Sequence, residues 1–251
     1  MCVDSSRLIW RLCLSVLSLA SLAASAADVR TFAPNITPSS SDLRLVVIEG
    51  QIQHGDYEKF LKIVKESEGK AIAVYIFSAG GDFQEAMRIG KAVRALELSS
   101  HVPMKDRNGQ PDCDDGGYGM TPKPTDPINC TAASAGFFIH IGGVWRGGNY
   151  LLVHRPYFEK GKFGTLPQDK AMKAFDSLQA LAKTYMADMG VPKHIQDAVL
   201  GTPSDKGLLI DEKTIKTYFW GAIPYRHEWM LNRCSQLTRY ENERLKNLVR
   251  Q

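Results

Sequence analysis

The chain has 251 residues, of which 44% are apolar and 23% are charged. This length and composition predict one globular domain with a sizeable core, and they exclude a low-complexity or fibrous chain. The formal net charge is only +4, and the lysines and arginines are scattered along the sequence. We therefore expect no nucleic-acid partner.

The chain opens with a predicted signal peptide, residues 1–26. A positively charged start is followed by a short apolar core over residues 12–22 and by the A-x-A cleavage site Ala24-Ser25-Ala26. Cleavage there gives a mature chain that begins at Ala27 and is periplasmic or secreted. The apolar core is shorter than the roughly 20 residues of a membrane span. An uncleaved anchor helix is the alternative, and after cleavage no membrane span is expected.

Export would place the mature chain in an oxidising compartment, so its cysteines matter. Cys113, Cys130 and Cys234 lie beyond the leader. A disulfide between Cys113 and Cys130 would close the loop between them, which is rich in Gly, Pro and Asp. Three free thiols, or pairing through Cys234, remain open. No C-x-x-C or H-x-x-x-H spacing occurs, so neither a metal nor another cofactor is expected.

The first half of the mature chain predicts an alternation of strands and helices. Residues 27–42 are rich in Pro, Ser and Thr and are predicted to be a loose N-terminal segment. The apolar periodicity then predicts a strand over 43–52, a helix over 56–65 capped by Asp56, a buried strand over 71–77 and an amphipathic helix over 83–96. This order predicts an α/β fold with a mainly parallel central sheet flanked by helices.

The second half begins with a long segment that shows little periodicity. Residues 105–129 are predicted to be an inserted loop, either a flap over a site or a disulfide-tied insertion. After it we predict a buried helix over 134–141, a strand over 150–153, a helix over 170–189 that ends at Gly190, a short helix after Pro192, a turn over 202–205 and a helix capped by Asp211. Residues 226–251 are predicted to be a charged C-terminal helical extension.

Three short stretches carry residues suited to nucleophilic catalysis. Ser134 follows a small-residue turn and enters a helix, where unpaired backbone N–H groups favour developing negative charge. His154 ends a predicted strand and is a candidate base. A glycine turn, Ser78-Ala79-Gly80-Gly81, follows the buried strand. The plainer alternative for Ser134 is a helix N-cap, and His140, on the apolar helix, is predicted to be buried packing.

These stretches resemble the motifs of the Clp-protease proteolytic subunit group, within the crotonase-like superfamily, and especially its exported relatives. That family has S-P-G-G after a strand, then G-Q-A-A-S-M-G and M-I-H-Q-P. The counterparts here are S-A-G-G at 78–81, C-T-A-A-S-A-G at 130–136 and L-V-H-R-P at 152–156. The similarity spans residues 43–223. It implies a Clp-protease-like α/β domain over 43–225 that is built of repeated β-β-α units.

The resemblance also implies roles for single residues. Ser134 would be the nucleophile, His154 the general base and Asp205 the acid, while the backbone N–H groups of Gly81 and Ala135 would form the oxyanion hole. The activity implied is serine-type endopeptidase cleavage of peptides or unfolded proteins, without a cofactor. A homo-oligomer is typical of this family, but its ATPase partner is not expected outside the cytoplasm.

Several alternatives remain open beside these roles. Asp197 competes with Asp205 for the acid, and a Ser–His dyad without an acid is also possible. Ala79 replaces the family's proline. Asp82 would either bring negative charge to the oxyanion hole or, as we favour, cap the next helix. The alternative function is a catalytically degenerate scaffold that binds peptides or assembles in the cell envelope. Acyl-CoA chemistry on the same fold lacks a flanking glutamate pair here.

Overall fold

The structure is a computed structural model that describes residues 26–34, 42–114, 120–158, 166–223 and 226. The predicted signal peptide up to residue 25, the predicted C-terminal extension beyond Arg226, and Cys234 lie outside the described residues. No helix in the part that is described is both long and apolar enough to cross a membrane.

The central sheet has six strands, in the spatial order β1 (Asp28–Phe32), β2 (Arg44–Glu49), β3 (Ala71–Phe77), β4 (Ser99–His101), β7 (Trp145–Gly147) and β10 (Gly221–Ala222). The four inner strands pair in parallel, and the two edge strands pair antiparallel to their neighbours. The described residues also form two small two-stranded sheets. Their strands are β5 Met104–Lys105 with β6 Pro111–Asp112, and β8 Leu152–Val153 with β9 Leu208–Leu209. The predicted α/β class with a mainly parallel sheet is confirmed.

Helices supply the rest of the hydrophobic core. They are α1 Asp56–Glu66, α2 Phe83–Ala95, α3 Ala135–His140, α4 Gln168–Asp188, α5 Lys193–Gly201 and α6 Glu212–Thr214, which continues as a π-helical turn, Ile215–Phe219. Alternate residues of β2 and β3 turn one face of the sheet toward these helices. The core residues include Val46, Ile48, Val74, Ile76, Phe60, Ile89, Phe137, Phe138, Met186 and Val199.

A glycine lets α2 and α3 approach each other closely. A Cβ atom on Gly90 would lie 2.0 Å from the hydroxyl oxygen of Tyr185 and 2.6 Å from the carbonyl oxygen of Phe138. The Tyr185 hydroxyl donates a hydrogen bond of 2.7 Å to that same carbonyl. Only a residue without a side chain fits here, so Gly90 fixes where α3 lies against α2. That position in turn determines where α3 begins, at Ser134.

A buried arginine joins the ends of several elements. Arg146 on β7 is 2% exposed, and its guanidinium donates to the carbonyls of Ile141, Met189 and Tyr218 at 2.5, 2.9 and 3.0 Å. These carbonyls belong to the ends of α3 and α4 and to the π-helical turn, where backbone acceptors lack a partner within the helix. The Arg146 side chain therefore supplies hydrogen-bond donors to carbonyl groups at all three helix ends.

Three sequence predictions need correction. Residues 28–32, predicted to be loose, form edge strand β1, because the Pro- and Ser-rich signal comes only after them. The insertion contains its own hairpin of β5 and β6, whose two-residue strands are too short to show a period. Gly55, with φ of 94°, takes the N-cap position of α1, and Asp56 is the first helical residue.

Candidate active site

The turn that carries Ser134 is held between β3 and β8 by backbone hydrogen bonds. Ser78, which follows β3, donates to the Thr131 carbonyl at 2.8 Å and accepts from the Ala133 N–H at 2.9 Å. On the other side, the Ser134 N–H donates to the Leu152 carbonyl at 2.9 Å. The turn that carries Ser134 therefore lies directly between the strand that leads to the glycine turn and the strand that leads to His154.

Ser134 has a backbone conformation that L residues rarely adopt. Its φ is 50° and its ψ is −112°. Such a conformation is strained by about 1–3 kcal/mol, and strain of this kind concentrates at functional sites. The residue takes the N-cap position of α3, yet its hydroxyl makes no capping hydrogen bond. The N-cap alternative thus gives no reason for a serine at this position.

The glycine turn packs against Ser134. Gly80 and Gly81 have φ values of 122° and 135°. A Cβ on Gly80 would lie 2.7 Å from the Ser134 Cβ and 3.1 Å from its Oγ, and a Cβ on Gly81 would lie 2.0 Å from the carbonyl oxygen of Ile52. Both positions require glycine for conformation and for space. The glycines therefore bring a main-chain segment beside the Ser134 hydroxyl.

Two backbone donors in the segments that adjoin Ser134 are unpaired. Within the described part of the chain, neither the Gly81 N–H nor the Ala135 N–H donates a hydrogen bond, whereas the N–H of Gly80 donates to Ser78 Oγ and that of Gly136 to the Ala133 carbonyl. Ala135 is 1% exposed, and an unpaired N–H group is uncommon so far from water, whereas Gly81 is exposed to solvent. Two unpaired N–H groups flanking a serine hydroxyl are suited to hold an oxyanion.

Hydrogen bonds to Ser78 and Asp82 stabilise the two ends of the glycine turn. The Asp82 carboxylate accepts from the N–H groups of Gln84 and Glu85 at 2.8 and 3.0 Å. The predicted N-cap is thus confirmed, and the carboxylate is engaged by α2. Ser78 is fully buried, and its Oγ accepts from the Gly80 N–H at 3.1 Å. Sequence analysis assigned Ser78 no role of its own, because a small residue before two glycines is an ordinary turn signal.

His154 lies two residues beyond Leu152 and is half-buried. Its Nδ1 is 2.9 Å from the carbonyl oxygen of Arg155. A carbonyl can only accept, so Nδ1 carries the hydrogen, and Nε2 is left with the lone pair that a general base needs. No hydrogen bond joins this ring to Ser134 Oγ among the described residues. In the absence of substrate, catalytic hydrogen bonds of this type are often open.

The two candidate acids are both exposed to solvent. Asp205 lies in the turn whose first residue, Thr202, accepts a 3.0 Å hydrogen bond from the Arg155 N–H, so this turn is adjacent to His154. No described residue pairs with the Asp205 carboxylate. Asp197 instead pairs with Lys193 on the same helix at 2.5 Å. Asp197 therefore lies on the solvent-exposed face of α5, as its helical spacing predicts.

Two further histidines lie within the sheet and helix packing, without a candidate catalytic partner among the described residues. His140 is fully buried on α3 as predicted, and burial lowers the pKa of its imidazole well below the ordinary value. His101 stacks on Tyr75 with ring centroids 4.5 Å apart, and burial lowers its pKa to about 4. In the described ranges, no group of three or more His, Cys, Asp or Glu side chains is arranged to hold a metal ion.

A disulfide and a buried carboxylate attach the insertion next to the turn that carries Ser134. A disulfide joins Cys113 to Cys130, the pairing that the sequence had left open, and Cys130 lies four residues before Ser134. Glu49, 4% exposed at the end of β2, accepts from the N–H groups of Thr125 and Asp126 at 2.8 Å. Glu49 also accepts from Asn129 Nδ2 at 3.1 Å and pairs with Arg30 at 2.7 Å.

These contacts make Glu49 acid-sensitive. Burial by itself raises the pKa of the Glu49 carboxyl, but the hydrogen bonds from Asp126, Thr125, Asn129 and Arg30 together outweigh it and lower the pKa from 4.5 to about 2. The folded pKa is thus below the unfolded one. The stabilisation is therefore fully present above about pH 4.5 and is lost as the pH falls toward 2.

We expect Glu49→Gln to lower the free energy of unfolding by roughly 3 kcal/mol at pH 7, because a shift of this size corresponds to that energy. Urea unfolding between pH 7 and pH 2 is the measurement, and the gap between the two proteins should close over the acidic range. The exposed Glu66→Gln is the control. A gap that stays constant with pH would contradict the role given to the carboxylate.

The chain is similar in structure to known proteins. Many solved structures are similar to it, and two serve as examples. One is a ClpP1 mutant from Listeria monocytogenes, with 15% identity and a TM-score of 0.46, covering 70% of this chain and 86% of that chain. The other is a mutant of the 1510-N membrane-bound stomatin-specific protease, with 19% identity and a TM-score of 0.43, covering 69% and 74%. No family model and no curated protein matches the sequence.

Proposed function

We propose that this protein is an exported serine peptidase that cleaves peptides or unfolded proteins with Ser134 as nucleophile. The observation that carries the proposal is the pair of unpaired N–H groups, on Gly81 and Ala135, beside a serine in a strained backbone conformation. A purely structural serine needs neither feature. With this function goes a fold of the crotonase and Clp-protease kind, including its repeated β-β-α units.

The proposed reaction uses groups of this chain only. Ser134 Oγ attacks the peptide carbonyl carbon while its proton passes to Nε2 of His154. The carbonyl oxygen becomes an oxyanion that accepts from the Gly81 and Ala135 N–H groups, and each such donor is worth about 3–4 kcal/mol. His154 then gives its proton to the leaving amine. Water, activated by the same imidazole, hydrolyses the acyl-enzyme.

The histidine in this scheme is oriented by a main-chain carbonyl. The hydrogen bond from His154 Nδ1 to the Arg155 carbonyl already selects the tautomer that an acid would otherwise select. Asp205 is exposed and makes no such bond. The proposed Ser134–His154 dyad therefore needs no acid to orient its histidine, and Asp205 would only add negative charge to the neighbouring turn.

We expect Asp205→Asn to lower kcat by less than about tenfold, because the dyad keeps its orienting carbonyl. Loss of a true triad aspartate costs about 10⁴-fold. Steady-state hydrolysis of an unfolded protein substrate measures the difference, with Asp197→Asn as the matched control on the neighbouring helix. A loss near 10⁴-fold would instead make Asp205 the third member of a triad.

We also propose where the enzyme acts and which substrates it cleaves. Export through the predicted signal peptide places the enzyme in the periplasm or outside the cell, where an ATPase partner is not expected. The substrates are then chains that are already unfolded or flexible. We further propose that the protein assembles as a homo-oligomer.

The decisive test is covalent labelling. A fluorophosphonate probe should form one adduct per chain on Ser134, located by mass spectrometry, and the adduct should be absent from Ser134→Ala. In His154→Ala the labelling rate should fall by at least about a hundredfold, because the hydroxyl loses its base. Ser177→Ala, on the exposed face of α4, is the control and should label normally.

The open contact between Ser134 and His154 favours a second candidate. A degenerate scaffold that binds peptides would not need the two side chains to meet. It predicts that folded, oxidised protein binds unfolded polypeptide but takes up no label. That result would replace the peptidase proposal with the scaffold.

A further inference from the structure

The backbone nitrogen of Ala27 meets a buried carboxylate. Ala27 is 2% exposed and Asp56 is fully buried. The Ala27 N–H donates to Asp56 Oδ2 at 3.1 Å. This nitrogen is the one that predicted signal-peptide cleavage after Ala26 would convert from an amide into a free amine. The contact therefore joins a predicted processing point to the interior of the domain.

Two other donors compensate the charge of the carboxylate in part. In the described structure, Asp56 accepts from the Gln53 N–H at 2.7 Å and pairs with Lys59 Nζ at 2.7 Å. The Lys59 side chain is 47% exposed, so water screens much of its charge. A buried carboxylate is stabilised strongly by a second cation within hydrogen-bond distance.

We propose that the bond between Ala26 and Ala27 is a maturation site, and that Asp56 is the receptor for the α-ammonium group that cleavage creates. Hydrolysis of this peptide bond consumes one water, leaves a carboxylate on Ala26, and leaves a protonated amine on Ala27. The amide donor at 3.1 Å becomes an ammonium donor to the same oxygen. The uncharged precursor lacks this ion pair.

There is room for the new charge. A cavity of about 310 Å³ borders Ala27 and is lined by residues of β1 and α1, including Lys59 and Glu66. Water in this cavity can accept from the two ammonium hydrogens that do not point at Asp56. The new group is thus partly hydrated on one side and paired on the other, which limits the cost of burying it.

Contiguous contacts connect this pair to the proposed oxyanion hole. Asp56 holds the N–H of Gln53, and the preceding residue, Ile52, brackets the glycine turn. The Ile52 N–H donates to the Gly80 carbonyl at 2.9 Å, and the Ile52 carbonyl accepts from the Asp82 N–H at 2.7 Å. Gly81 lies between these two bonds. A displacement of the turn at 52–56 therefore moves the Gly81 N–H.

Two effects follow from maturation. The domain becomes more stable, and the Gly81 N–H is held more firmly in the position that it already has. The second effect rests on the proposed peptidase function, whereas the first does not. Ser134 therefore becomes more reactive once the predicted signal peptide has been removed.

The test compares two forms of the full mature chain, one beginning with the free amine of Ala27 and one with the same amine acetylated. We expect acetylation to lower the Tm by roughly 5 °C, as loss of a partly buried ion pair would. Fluorophosphonate labelling of Ser134 should become up to about tenfold slower, because a neutral amide at Ala27 holds the turn at 52–56, and with it the Gly81 N–H, less firmly than the ammonium group does. In Asp56→Asn, acetylation should change neither value. Asp28→Asn, an exposed neighbour, should keep both differences.

Each result has a defined meaning. Equal Tm values for the two forms would overturn the proposal, as would N-terminal sequencing of the exported protein that finds a start other than Ala27. If Asp56→Asn does not fold, the comparison of the two N-termini on the unsubstituted chain decides alone. A Tm difference with no labelling of either form would keep the ion pair and reject the peptidase function.

Discussion

Ser134→Gly is expected to abolish peptide hydrolysis, with a loss of at least about 10⁴-fold, while raising the free energy of unfolding by about 1 kcal/mol. The first effect is loss of the nucleophile. The second arises because φ of 50° and ψ of −112° are strained for serine and accessible to glycine. The relief exceeds the added chain entropy of glycine in the unfolded state. Urea unfolding and substrate turnover on the same preparations give both values.

Ser134→Ala separates the two effects. Alanine also removes the hydroxyl, but its Cβ keeps the steric conflict, so activity should be lost without a gain in stability. Ser177→Ala, a serine on the exposed face of α4, should change neither. If Ser134→Gly proved less stable than the unsubstituted protein, the backbone conformation of Ser134 would not be lowering the free energy of unfolding.

Arg146→Met is expected to lower the free energy of unfolding by about 4 kcal/mol and the Tm by about 10 °C. Methionine preserves much of the volume, but the carbonyls of Ile141, Met189 and Tyr218 lose their shared donor inside the protein. Unsatisfied buried acceptors account for the size of the effect. Thermal and urea unfolding measure it.

Lys193→Met is the matched control for this charge removal. Lys193 has a carboxylate partner in Asp197, but the pair is exposed on α5, so its loss should cost less than about 1 kcal/mol. A similar small cost for Arg146→Met would mean that water replaces the guanidinium at the three helix ends.

The elements that frame the site were predictable because strong local signals mark them. The seven-residue apolar run of β3, the following glycines and the Asp82 cap each indicate one structure, and the structure contains all three. The start of α3 at Ser134 was also predicted, from a small-residue turn before an apolar run. In these stretches local preference and tertiary packing favour the same conformation.

Other features depend on long-range packing that no local pattern reveals. Strand β1 is half polar and forms because β2 offers it an edge. Strands β8 and β9 have two residues each, too few for a period. Arg146 on β7 would be expected at the surface from its charge alone, since arginine is rarely buried. The carbonyl that orients His154 is part of the main chain, so no side-chain motif announces it.

The insertion is held both by a disulfide and by hydrogen bonds to Glu49, and this has a practical consequence for producing the protein. Thiol chemistry supplies one attachment, and the Glu49 carboxylate supplies the other without any redox requirement. In a reducing expression host, Thr125 and Asp126 would still dock on β2 through Glu49. A cytosolic preparation should therefore keep the segment that leads into Ser134 in place, and later oxidation in air would add the missing covalent bond to chains that are already correctly folded.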